Sequence, residues 1–253
     1  MTASLPDTID GVLARLNALL DDAIRDGRRI GYFVALYERV TSNVRHALIA
    51  GTVFDDNPRM EQLDVVFANR FIDAWEQHVA GRSPTESWEV AFRLLEDPGP
   101  LVIQHLMVGM NAHINLDLGI AAATVAPTPA QLEALHADFN RINDVLARLV
   151  RIVEDRLCTI CPPLQRLADR ITIEGHVFDF GLNAARYVAW ALARELAGAP
   201  REAWPAIIAR RDALSALGAR AMYPLHGLAA ATALAVHGHE NKDVRWNIQV
   251  VSS

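Results

Sequence analysis

The run Ile9-Asp10-Gly11-Val12-Leu13-Ala14-Arg15-Leu16-Asn17-Ala18-Leu19-Leu20-Asp21-Asp22-Ala23-Ile24-Arg25-Asp26-Gly27 repeats apolar side chains at Ile9, Val12, Leu13, Leu16, Leu19, Leu20 and Ala23. That three-and-four spacing lays one stripe along an α-helix. Asp26-Gly27 ends it, because glycine enters the left-handed conformation of a helix terminus without a steric penalty. The same spacing returns over residues 32–49 and stops at Gly51. Further along, Asn57-Pro58, Ser83-Pro84 and Thr128-Pro129 each set a capping side chain before a proline. Proline suits the first helical turn, where its fixed φ is helical and its missing N–H has no partner to lose.

Strand-like alternation is nearly absent, and the pattern predicts helices over 8–26, 31–50, 58–80, 84–96, 100–125, 129–157, 163–171, 174–198, 201–222 and 225–237, with a last turn around 241–250. The links between them are short, which favours antiparallel neighbours. The expected fold is all-α: a single bundle-like domain of about ten helices over residues 1–253, with 239–253 as a loosely packed tail. Asp97-Pro98-Gly99-Pro100 reads as a turn, too short to separate two domains.

Composition narrows the function classes. A chain of 253 residues is near the upper size for one hydrophobic core. With 51% apolar and 21% charged residues it buries a substantial interior and is not a disordered chain. The net charge of -6, with Lys and Arg spread thinly, argues against a nucleic-acid surface. Residues 1–7 lack the basic start and apolar run of a secretion signal. Two apolar stretches, 101–126 and 225–236, do not read as membrane spans: the first carries His, Asn and Asp, and the second is too short. The expectation is a cytoplasmic protein whose partner is a small molecule, with no nucleic acid and no membrane; a homo-oligomer is compatible with it.

Cys158 and Cys161 are the only cysteines. A thioredoxin-type pair opens a helix after a strand, whereas these close a helix before Pro162-Pro163, and a four-thiolate zinc site needs a second pair. They read as two reduced thiols at a helix end.

The candidate site lies in Gln104-His105-Leu106-Met107-Val108-Gly109-Met110-Asn111-Ala112-His113-Ile114-Asn115-Leu116-Asp117-Leu118-Gly119. It is apolar enough for a buried helix yet carries six polar side chains. Each of these, buried without a partner, costs roughly 1–3 kcal/mol, so the helix must meet polar groups from elsewhere or line a cavity. His113 and Asp117 are four residues apart and share a face, whereas His105 is about 12 Å along the axis from His113 and belongs to another layer. The cross-helix partners to expect are Asp64 first, set among Leu63, Val65, Val66 and Phe67, then Glu61, Asn140, Asn143 and His136.

Three readings of this cluster stay open. In the first, His113 with Asp117 and Asp64 moves a proton on a small organic ligand, while Asn111, Asn115, Arg70 and Asn143 bind its polar groups. That would be an isomerase, cyclase or lyase without a nucleotide cofactor, since no Gly-rich phosphate loop, nucleophile elbow or haem-attachment motif is present. In the second, His113, Asp117, Asp64 and Glu61 hold a divalent metal such as zinc, manganese or iron for hydrolysis or oxidation; a single His-x-x-x-Asp pair is weak support, and the paired Glu-x-x-His motifs of di-iron bundles are absent. In the third, the cluster only ties helices together, with Arg70 bridging carboxylates, in a non-catalytic binding or scaffold protein.

The stretch from Arg59 through Phe71, with Gln104-His105, Asn111 through Gly119 and Asp138-Phe139-Asn140-Arg141-Ile142-Asn143, resembles a bacterial all-helical family known only as a domain of unknown function. The resemblance covers most of the chain and is least after Tyr223. It implies a helical fold but no reaction or cofactor. His237-Gly238-His239-Glu240 reads as a loop or fraying helix end, His176 and His226 as packing or capping residues, and Trp75, Trp88, Trp190, Trp204 and Trp246 as anchors of core or interface.

Overall fold

The computed structural model describes residues 4–164, 177–225 and 227–253. Helix α1 is Ile9–Asp26, α2 is Ile30–Ala50, α3 is Asn57–Val79 and α4 is Glu86–Leu94. Then come α5 (Val102–Ala112), a π-helical segment (His113–Leu118), α6 (Gly119–Val125) and α7 (Pro129–Ile160). The chain continues with α8 (Val177–Ala197), α9 (Trp204–Met222) after a 3₁₀ turn at Arg201–Ala203, α10 (Gly227–His237) and α11 (Val244–Ser252). The fold is all-α, with no strand among the described residues, and none of their helices is long and apolar enough to cross a membrane. The helix expected over 163–171, the start of that expected over 174–198, and both His176 and His226 lie largely or wholly outside the described residues.

The terminal signals acted where a side chain could reach. Gly27 and Gly51 close α1 and α2 in the left-handed region, at φ 64° and 69°. Thr128 caps α7, accepting the Gln131 N–H at 3.3 Å, with Pro129 in the first turn. The other two signals are displaced. Asp56, not Asn57, caps α3 through the Arg59 N–H, and α4 starts at Glu86, two residues beyond Pro84. Helix α4 has no local side-chain cap, and Asp212 from α9 supplies one, accepting the Glu86 and Ser87 N–H groups at 2.6 and 2.9 Å. Asp138 of α7 does the same for the loop before α3, taking the Asp55 and Asp56 N–H groups at 2.9 Å each. Glu240 takes the Val102 N–H at the head of α5 at 2.9 Å. Three buried carboxylates thus neutralise helix starts distant in sequence, where unpaired N–H groups and the helix dipole favour an anion.

Two large apolar clusters make the interior. One is built mainly by α1, α2, α4, α5 and α11 with the C-terminal half of α3; the other by the start of α3, the π segment, α6, the first half of α7, α8 and Trp204. The chain crosses from one to the other at the π segment: Ala112, at the end of α5, belongs to the first and Leu116 and Leu118 to the second. Its neighbour Gly119 lets α6 approach α8 closely: a Cβ there would lie 2.6 Å from the Ala189 carbonyl oxygen.

The tail is not loosely packed. Asn247, Ile248 and Val251 of α11 are buried against α2, α7 and α1, and a Cβ on Gly31 would lie 2.4 Å from Ile248 Cδ1. The apolar period of so short a segment gave little indication of a docked helix, and burial came from contacts distant in sequence, those with α1 and most of α2 being more than 200 residues away.

Candidate functional site

The site begins with a break in helical regularity. Residues 100–125 read as one continuous helix, but His113–Leu118 is π-helical, a widened turn that often marks functional sites. Within it His113 Nδ1 lies 3.2 Å from Asp117 Oδ2, so the pair expected from the spacing does form. Trp88 of α4 donates its indole N–H to the same oxygen at 2.8 Å, and Arg70 of α3 donates Nε–H to Oδ1 at 2.6 Å. Asp117 is fully buried and receives three donors from three elements. Burial by itself would raise its pKa, but Arg70, His113 and Trp88 outweigh that and hold the carboxyl below its usual range. An ionised carboxylate only accepts, so His113 carries its proton on Nδ1 and presents Nε2 as an unprotonated base. Burial lowers the pKa of His113 despite Asp117, which keeps the ring neutral at neutral pH.

Nε2 of His113 is buried without a hydrogen-bond partner, beside a cavity of about 130 Å³. The ring stacks on Phe67, with centroids 3.7 Å apart and planes 8° from parallel, and meets Tyr37 edge-on at 4.5 Å. Asp64, whose Oδ2 is buried without a hydrogen-bond partner, and Tyr37, beside Thr41, line the same cavity. Burial, aided by the charge of Glu61, raises Asp64 to about 7, and burial with the charges of Asp64 and Asp117 pushes Tyr37 well up. The rest of the wall is mostly aliphatic and aromatic, drawn from α2, α3, α5, the π segment, α7 and α8.

The other expected residues are placed elsewhere. Asn111 donates to the Ser215 carbonyl at 2.8 Å, tying the helix to α9, and accepts from Asn115 at 2.9 Å; neither amide lines the cavity. Arg70 reaches the site only through Asp117, and a groove on its outer side exposes part of the Arg70–Asp117 pair. Asn143 does not line the cavity, Asn140 is exposed, and His136 stacks on Trp190 at 4.6 Å. His105 lies in a separate layer against Tyr32, where burial lowers it to about 4. At the C-terminal end of α7 the Cys161 thiol is buried and faces the Val236 carbonyl at 3.6 Å, and Cys158 and Cys161 form no disulfide.

For the metal set, both Asp117 oxygens already accept hydrogen bonds and Glu61 accepts the Ile9 N–H at 3.4 Å. Among the described residues no group of three or more His, Cys, Asp or Glu side chains is arranged to hold a metal ion. Sequence reasoning missed Tyr37 and Phe67 as walls of the site and Trp88 as the donor to Asp117. Each sits in an apolar helical period and reads locally as core, and only the tertiary contact sets it apart.

These features define an all-α protein in which a fixed His–Asp pair stands beside an apolar cavity. The chain belongs to DUF5995, a family of unknown function, whose model matches residues 9–224. All the residues of the pair and of the cavity wall fall within that match, whereas α10 and α11 lie beyond it. No curated protein and no solved structure matches the chain.

Proposed function

We propose that the protein is a small-molecule enzyme that moves a proton on an apolar ligand held in this cavity, without a nucleotide cofactor. One observation carries the reading: His113 Nε2 and Asp64 Oδ2 are both buried, both without a protein hydrogen-bond partner, and both belong to residues of one cavity wall. Each such group costs roughly 1–3 kcal/mol, a cost that a ligand bound there would offset. His113 Nε2 is the base, its tautomer fixed by Asp117. Asp64, near 7, carries a proton for part of the population at neutral pH and is the matching acid. Removal of a proton from one ligand carbon by His113 and delivery of a proton to another by Asp64 is an isomerisation, balanced once the two groups re-equilibrate. The size of the cavity suits a molecule of about one ring, since an engineered apolar cavity of about 150 Å³ accepts benzene. Arg70 and Trp88 act as positioning residues through Asp117. We place the protein in the bacterial cytoplasm, where Cys158 and Cys161 remain thiols.

The test uses 3-cyclohexenone, a single apolar ring with acidic C–H bonds, incubated with the protein in D₂O and followed by proton NMR. The expected result is C–H exchange and conversion to the conjugated isomer, reduced about 10²–10⁴-fold in His113→Gln. Equal rates for wild type and His113→Gln would sink the proposal.

A further inference from the structure

Arg186 of α8 lines the same cavity and is 5% exposed. Its guanidinium lies 4.3 Å over the Phe139 ring and donates through Nη2 to the Phe139 carbonyl. Nε–H is buried with no partner. Among the described residues no carboxylate forms an ion pair with it. Burial lowers its pKa to about 10, so it keeps its charge at neutral pH. Among the described residues a carbonyl and an aromatic face are its only partners, so this buried cation is short of a counter-charge there, and its Nε–H is unused. The other ionisable side chains on the wall are Tyr37, Asp64, Glu154 and His113. Glu154 has an interaction of its own, and His113 is neutral. Arg186 is therefore the one cation on the described wall, and an anionic group has one place to bind.

We infer that the ligand of this cavity is an apolar monocarboxylic acid of about one ring in size, its carboxylate on Arg186 and its body along the aliphatic wall. The inference rests on the cavity being the ligand site, and not on proton transfer taking place there. Guanidinium and carboxylate match in geometry as well as charge, and the apolar surroundings strengthen the pair.

Titration calorimetry with benzoate and with benzamide, its neutral near-isostere, tests this on the full chain. Benzoate is expected to bind about tenfold more tightly or better, the ratio for one charge-assisted hydrogen bond. Arg186→Met is expected to abolish the preference while benzamide still binds. Because that variant can fail to fold, the Arg186 Nε–H resonance of the wild type gives a second readout, shifting with benzoate and not with benzamide. Equal affinity for the two compounds, binding of neither, a preference that survives Arg186→Met, or an unmoved Arg186 resonance would each overturn the inference. Benzamide binding with no preference for benzoate removes the carboxylate assignment alone, and loss of hydrogen exchange in the cyclohexenone assay bears on His113 alone.

Discussion

Replacing Asp117 by Asn keeps the side-chain shape but removes the charge shared by Arg70, Trp88 and His113. Breaking a buried charged pair on one side typically costs about 3–5 kcal/mol, so Asp117→Asn should lose that much in urea denaturation. His113→Gln leaves Asp117 with Arg70 and Trp88 and should lose no more than about 2 kcal/mol. If the two variants lose the same amount, His113 is a structural member of the network and not a group kept for the cavity. Asp64 gives a prediction of opposite sign. Its folded pKa of about 7 exceeds the ordinary carboxylate value of about 4, so its contribution is fully present below pH 4 and is lost as pH rises through 7. Asp64→Asn should therefore stabilise the protein at pH 8, by up to about 4 kcal/mol, and change little at pH 4. In catalysis the same two groups give a bell: neutral His113 sets the acid limb below its ordinary pKa, and loss of the Asp64 proton sets the alkaline limb near 7.

Among the elements, α4 depends most visibly on a distant residue. With no cap of its own, it takes its anion from Asp212 across the contact with α9. Asp212→Ala should cost about 1–3 kcal/mol, read by thermal unfolding, and should increase amide hydrogen exchange at Glu86 and Ser87. Since Trp88 follows one residue later, the same change should disturb the indole that donates to Asp117. The junction of α6 and α8 is a matter of volume. Gly119→Ala sets a methyl group against the Ala189 carbonyl, backbone against which no rotamer can yield, and should cost about 1–3 kcal/mol. Glycine is otherwise a poor helix former, so it reads as a flaw in the sequence. The close approach of the two helices explains it.

Over the whole molecule, the C-terminal segment beyond the family match is structurally integrated. Glu240 caps α5, and Ile248 and Val251 complete the first apolar cluster. Deleting residues 239–253 should therefore lower the midpoint of thermal unfolding markedly and expose dye-binding apolar surface, whereas a loosely attached tail would leave both unchanged. Acid sensitivity also involves the interior as a whole. His105 is held near 4, below its ordinary value of about 6.5, so the stability it contributes is present above 6.5 and lost as pH falls toward 4. That loss amounts to about 3 kcal/mol and runs against the gain from Asp64 over much of the same range. In an Asp64→Asn background His105→Gln should flatten the acid limb of a stability-against-pH curve.

Local features of the fold can be read from the amino-acid order alone. Apolar spacing, Gly27, Gly51 and Thr128-Pro129 fix helices and several of their ends, because hydrogen bonding and side-chain phase act within one or two turns. The His113–Asp117 pair was legible for the same reason: both partners lie on one face of one segment. Whatever needs a second element came only from how the helices pack. Packing joined Asn111 to α9, brought Trp88 and Arg70 to Asp117, set Tyr37, Phe67 and Arg186 on the cavity wall, and docked α11. Those contacts join residues up to more than 200 positions apart, and nothing in a local period records which buried side chain will meet which.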